Sequence, residues 1–177
     1  VKLLREKYDV DIIGMEPALK VACDRGEHQR IAVWATQLTL SEKKFADLMN
    51  RFKDEHHIIK VPCPELVRMV EDNKLDDANL VESCLKEYLE ASDYKNLDSI
   101  VLGCTHFPFY TKHLEKLCPN VHIIEGSVGT TLHTKDLLEQ KGLLNTSCEE
   151  GQITWMNTMD SKIELSKCLF KKLEVEL

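Results

Sequence analysis

Short apolar runs alternate with longer amphipathic stretches along most of this chain. Runs at residues 10–15, 30–35, 57–61, 99–102, 121–124 and 153–157 have strand length. Between nearly all of them the apolar positions recur with helical spacing, which predicts helices over 1–8, 17–24, 41–54, 64–73, 76–90, 108–117, 128–141 and 161–173. Pro17, Pro64 and Pro108 each stand at an expected first turn, where the missing N–H costs nothing. Ser161-Lys162-Ile163-Glu164 fits a capping box. Strand and helix in alternation predict an α/β fold, a parallel sheet flanked by helices, because parallel neighbours need a crossover and that crossover covers the sheet. There is no internal repeat and no low-complexity linker; a weak boundary falls near Gly126, and 145–151 is a polar loop. The chain opens directly in a helical pattern with no strand feeding it, so one βα unit reads as cut.

Composition narrows the class without naming a function. With 177 residues, 43% hydrophobic and 30% charged, the chain has the means to bury a core and is not disordered as a whole. The net charge of -7 with interleaved signs argues against nucleic acid as a partner. No apolar run has membrane length, and the charged first nine residues do not resemble a signal peptide, so a soluble, cytoplasmic protein is expected. Seven scattered cysteines without close pairing read as reduced thiols rather than a disulfide or zinc framework. Cys84 and Cys168 fall on helical stripes and Cys63 ends a strand run; packing accounts for all three.

The chemistry concentrates at Gly103-Cys104-Thr105-His106-Phe107-Pro108. A buried strand stops at a glycine and delivers a thiol, a hydroxyl and an imidazole together. If Pro108 opens the next helix, Cys104 lies beside a helix N-terminus that favours thiolate, and His106 assists as acid or base. Thr105 offers a hydroxyl and an N–H to a carboxylate. Thr36 and Thr39 follow another strand, at the same sheet edge where open α/β folds bind ligands; taken alone they are turn or cap residues. Cys104 with His106 is an incomplete zinc set, since nothing nearby supplies the remaining ligands. His56 and His57 read as a solvated loop pair, and His113, His122 and His133 have no carboxylate cluster around them.

Beyond the cysteine segment, which resembles the second catalytic-cysteine motif of glutamate racemases, four more stretches resemble that family in the same order. Gly14-Met15-Glu16-Pro17-Ala18 with Lys20 and Ala22 is similar to its GxEPAxKxA stretch, and Ala35-Thr36-Gln37-Leu38-Thr39 to its ATxxT turn. Cys63-Pro64 through Leu66-Val67 to Glu71 is similar to its CPLFVPLVE helix, with Arg68 in place of a usual proline. Ile123-Ile124-Glu125-Gly126-Ser127 stands where members carry a segment like IDSG. The resemblance implies cofactor-independent interconversion of L- and D-glutamate for peptidoglycan, with Cys104 as one of two acid/base thiols. It also implies that Glu71 orients His106, that Thr36, Thr39, Thr105 and His106 bind glutamate, and that no PLP, flavin or metal takes part. Glu16 and Pro17 are taken as architectural.

The resemblance further implies one complete domain over 1–125 and the returning part of another over 126–177. The family's N-terminal third, with a DSGxGG-like loop and a first catalytic cysteine in a CNTA-like turn, has no counterpart here. The isolated chain is therefore expected to be inactive, and either to associate as a homo-oligomer through its uncovered C-terminal helices or to be partly disordered at that end. Two alternatives stand beside this reading: a racemase of aspartate or a related acid, which the Glu16-Pro17-Ala18 and Thr105-His106-Phe107 sets disfavour, and a non-catalytic fragment that binds a protein partner.

Overall fold

In the computed structural model all residues are described except Glu16, Pro17, Cys148, Glu150 and 175–177. The helices are α1 (Lys2–Lys7), α2 (Leu19–Cys23), α3 (Gln37–Ser41), α4 (Lys43–Asn50), α5 (Pro64–Glu71), α6 (Ala78–Ala91), α7 (Thr111–Leu117), α8 (Ser127–Gln140) and α9 (Ile163–Glu174). The strands are β1 (Arg30–Ala35), β2 (His57–Pro62), β3 (Ser99–Leu102) and β4 (His122–Glu125), all parallel and ordered β2-β1-β3-β4.

Continuous apolar runs form the two central strands because both sheet faces are covered. Alternation along the strand then sorts their side chains into two cores. Ala32, Trp34, Ile100 and Leu102 face the cluster under α5, α6 and α7, with Leu66, Leu85, Phe107 and Tyr110. Ile31, Val33, Ala35 and Val101 face the other, with Leu19, Leu40 and Phe45 of α2, α3 and α4. Trp34, Ser92 and Tyr110 carry polar atoms into the larger core and find partners there. The Trp34 indole N–H donates to Ser92 Oγ at 2.9 Å, Ser92 Oγ donates to the Tyr88 carbonyl at 2.6 Å, and Tyr110 Oη donates to the Leu66 carbonyl at 2.7 Å.

Several expectations need correction. Residues 10–15 and 153–157 form no strand: neither run pairs with a sheet edge, and without a ladder an apolar run has no reason to stay extended. The expected helix over 41–54 is shorter, α4 alone, and an unexpected short helix, α3, precedes it. Thr36 caps α3 by accepting the Thr39 N–H at 3.2 Å, and Glu42 is extended at φ -68 and ψ 137 before α4 begins. Pro108 sits inside a 3₁₀ turn, Phe107–Tyr110, and α7 starts only at Thr111. Ser161 lies within another 3₁₀ turn, Asp160–Lys162, so it does not cap α9. The first turn assigned to Pro17 and the architectural role of Glu16 and Pro17 lie outside the described residues.

The flanks of the chain differ from its centre. Neither α1 nor α8 buries a residue, and Leu3, Val10, Val128, Leu132 and Ile153 are exposed. Of the two C-terminal helices expected to be uncovered, only α8 is so. Helix α9 lays Leu169 against the core beneath α5 and α6, sets Phe170 edge-on to Trp155 at 5.4 Å, and pairs Lys172 with Asp76.

Candidate active site

The C-terminal ends of four parallel strands release Thr36, Cys63, Cys104 and Gly126 along one edge of the sheet. Gly103 is what lets β3 end there. A Cβ at this position would lie 3.2 Å from both the Ala35 Cβ and the Trp34 carbonyl oxygen, while the Gly103 N–H donates to that same carbonyl at 2.8 Å. The backbone stays against β1 for one residue more and then lifts Cys104 over the edge.

A relay runs from the thiol into the protein. Cys104 Sγ lies 3.7 Å from His106 Nδ1, and His106 Nε2 lies 2.9 Å from Glu71 Oε1 at the last turn of α5. The hydrogen bond from His106, followed by that from Lys162, holds the Glu71 carboxyl below its ordinary range. An ionised Glu71 accepts the Nε2–H, which leaves Nδ1 of a neutral imidazole as an acceptor facing the sulfur. This arrangement can pass a proton between thiol and ring. The helix-dipole support expected for Cys104 is not built in, because the 3₁₀ turn separates the thiol from α7; the group beside the sulfur is the imidazole.

Thr39, Cys104 and Thr105 line a cavity of ≈ 720 Å³ together with Phe45, Glu125 and Ser127. Thr36 stands behind it, its hydroxyl 3.0 Å from that of Thr39, and thereby orients Thr39 while capping α3. Of the expected binding residues, then, Thr39 and Thr105 line the cavity, whereas Thr36 and His106 do not. The Ser127 N–H donates to Glu125 Oε2 at 2.8 Å and closes the end of β4 onto the start of α8.

Other thiols are of a different kind. Cys63 is fully buried and donates to the Val61 carbonyl at 3.3 Å, and desolvation pushes its thiol far up. Burial likewise pushes Cys23, Cys84 and Cys118 to about 11. His56 is not solvated as expected: it is buried, and its Nδ1 accepts the Gln29 N–H at 3.1 Å, tying the entry of β2 to that of β1. Among the described residues no group of three His, Cys, Asp or Glu side chains could hold a metal ion, and no helix is long and apolar enough to cross a membrane. Sequence reasoning missed Lys162, whose Nζ lies 3.1 Å from Glu71 Oε2 and 2.7 Å from the Glu71 carbonyl, 91 residues away in the chain. No local pattern announces such a contact.

No family model matches the chain. Curated relatives do. A glutamate racemase of Bifidobacterium animalis subsp. lactis is 51% identical over 161 residues, covering 89% of this chain and 62% of the relative. One of Bifidobacterium longum subsp. infantis is 46% identical over 177 residues, covering 94% and 67%. The chain thus spans 61–67% of the Bifidobacterium relatives. Among solved structures, Escherichia coli glutamate racemase in complex with L-glutamate and the activator UDP-MurNAc-Ala superposes with a TM-score of 0.74 at 24% identity, covering 97% of this chain and 65% of that one. A glutamate racemase isoform of Bacillus anthracis superposes with a TM-score of 0.78 at 22% identity, covering 96% and 65%. The two structures speak for the parallel fold with its flanking helices. The sequence relatives, which align across nearly the whole chain, speak for descent: the chain belongs to the glutamate racemase family.

Proposed function

We propose that this chain is the portion of a glutamate racemase that carries one of its two acid/base thiols. The observation that supports this most is the Cys104–His106–Glu71 relay opening on a cavity at the carboxyl edge of a parallel sheet. Racemisation without a cofactor removes a weakly acidic Cα proton from one face and returns a proton to the other, so two bases must flank the substrate. Cys104 serves one face: as thiolate it takes the proton from L-glutamate, and as thiol it protonates the carbanion in the reverse direction. His106 holds the sulfur's proton between turnovers, and Glu71 keeps the ring oriented. Thr39, steadied by Thr36, and Thr105 hold substrate carboxylates. The L-glutamate bound by the E. coli enzyme supports this choice of substrate.

The second thiol comes from the segment of the family that these residues do not span. On this reading residues 1–125 are one domain and 126–177 return to the other. The exposed apolar side chains of α1 and α8, Leu3, Val128 and Leu132 among them, are surface that the N-terminal third covers. The D-glutamate made in this way serves peptidoglycan, the setting is the cytoplasm, and the protein works as a homo-oligomer.

A circular-dichroism assay with L-glutamate tests the reading. The 177-residue chain alone is expected to give no turnover. Refolded with the N-terminal third of the Bifidobacterium longum relative it should racemise glutamate, and Cys104→Ser should lower that rate by about 10²- to 10⁴-fold, the range for loss of one acid/base group. Turnover by the chain alone would overturn the two-thiol assignment.

A further inference from the structure

The relay does not end at Glu71. Lys162 reaches it from the 3₁₀ turn that leads into α9, and it grips the residue at two points, the carboxylate at 3.1 Å and the main-chain carbonyl at 2.7 Å. We propose that Lys162 is a positioning residue for the acid/base relay, clamping Glu71 so that His106 keeps its Nδ1 on the Cys104 sulfur. This rests on the reading of Cys104, His106 and Glu71 as that relay.

Three observations carry it. The Glu71 carbonyl belongs to the last turn of α5, where main-chain acceptors have no partner within the helix; an ammonium there satisfies one and complements the negative end of the dipole. The Glu71 side chain is 47% exposed, so one hydrogen bond to His106 would not hold its rotamer against solvent. Lys162 gives it a second anchor. Finally, the neighbouring charges have partners elsewhere. Arg68 of α5 pairs with Glu65 at 2.6 Å, and Asp72 after it pairs with Lys74 at 3.3 Å. On α9, Lys167 pairs with Glu164 at 2.7 Å and Lys172 with Asp76. The hydrogen bonds of His106 and Lys162 hold the Glu71 carboxyl low, so that it stays ionised and able to accept the imidazole N–H.

The clamp also joins two parts of the molecule. Docking of α9 through Leu169 and the Lys172–Asp76 pair places Lys162, so the C-terminal segment sets the geometry of a thiol that lies on β3's edge. Lys162 acts on the reaction through Glu71 and His106 and touches no reacting atom.

The test is the rate at which iodoacetamide labels Cys104 in the full chain near neutral pH, read by mass spectrometry. Lys162→Met should slow labelling about fivefold, the net worth of one hydrogen bond, and Lys162→Arg should recover most of the rate. In a Glu71→Gln background, where Lys162 keeps the main-chain carbonyl, Lys162→Met should cost clearly less than in the parent, the signature of coupled residues. A purely structural lysine would give additive losses and no difference between Arg and Met. Lys162→Gln, with far-UV circular dichroism on every variant, covers the event that Lys162→Met folds poorly. Labelling of both Lys162→Met and Lys162→Gln at the wild-type rate would overturn the proposal. Labelling needs no glutamate, so the racemase reading fails separately: a completed enzyme that shows the predicted cycle but does not turn over glutamate supports the clamp and refutes the substrate.

Discussion

Helices α6 and α8 are both fourteen residues long, and they have opposite fates. Helix α6 sends Val81, Leu85 and Leu89 into the core at intervals of one turn, whereas α8 buries nothing and leaves Val128 62% and Leu132 55% exposed. Helix α8 closes its own hydrogen-bond ladder, and Thr130 and Thr134 return their hydroxyls to carbonyls four residues back, at 2.7 and 2.8 Å. Local structure therefore forms in both. Only α6 has a sheet beneath it. Hydrogen bonding makes a helix locally, and its side chains are buried only where another element packs on them.

The contrast can be broken most sharply by truncating matched leucines. Leu85→Ala should cost about 2–5 kcal/mol, because the side chain is fully buried and leaves a cavity, while Leu132→Ala should stay within about 0.5 kcal/mol. Urea denaturation measures both. If Leu132→Ala proves as costly as Leu85→Ala, α8 is packed in solution. A more moderate effect is expected in hydrogen exchange and sedimentation. Amides of α1 and α8 should exchange far ahead of those of β1 and β3, and the chain should associate through the exposed apolar surface unless the N-terminal third is supplied. A monomer with uniform protection would remove the distinction between centre and flanks.

The smallest effect concerns pH and the one helix of the C-terminal part that does dock. The Glu71 carboxyl is held below its ordinary range by His106 and Lys162. A carboxyl depressed in the folded state contributes stability that is present above its unfolded value and is lost as pH falls through the lower folded one. The gain is small because the group is half exposed. In Glu71→Gln the drop in urea midpoint on going from neutral pH to the acidic side of the carboxylate range should be smaller than in the parent. An unchanged drop would mean that the His106 and Lys162 contacts add nothing to the fold.

The four strands lie within one residue of where the apolar runs place them, because a parallel sheet buried on both faces requires such runs. The same runs mislead at 10–15 and 153–157, since periodicity carries no information about whether a neighbouring strand exists. At the site, Cys104 and His106 were legible from the local pattern of strand, glycine and thiol. Glu71 was legible only through the resemblance, as an exposed helix carboxylate looks like any other. Lys162 was not legible at all: its contact with Glu71 depends on how α9 docks, and no spacing encodes that. His56 was misread for a related reason, because a polar side chain before a strand looks solvated until Gln29 is known to stand beside it.

The chain contains two tryptophans, and the fold assigns one to each region. Trp34 is sealed in the core with its indole N–H on Ser92, whereas Trp155 sits partly open against Phe170 of α9. Intrinsic fluorescence is therefore a mixture of a shielded, blue-emitting fluorophore and a quencher-accessible one, spectrally separable without any label. The first reports the integrity of the sheet and the second the packing of Trp155 on α9, so one emission spectrum separates loosening within the C-terminal segment from loss of the fold.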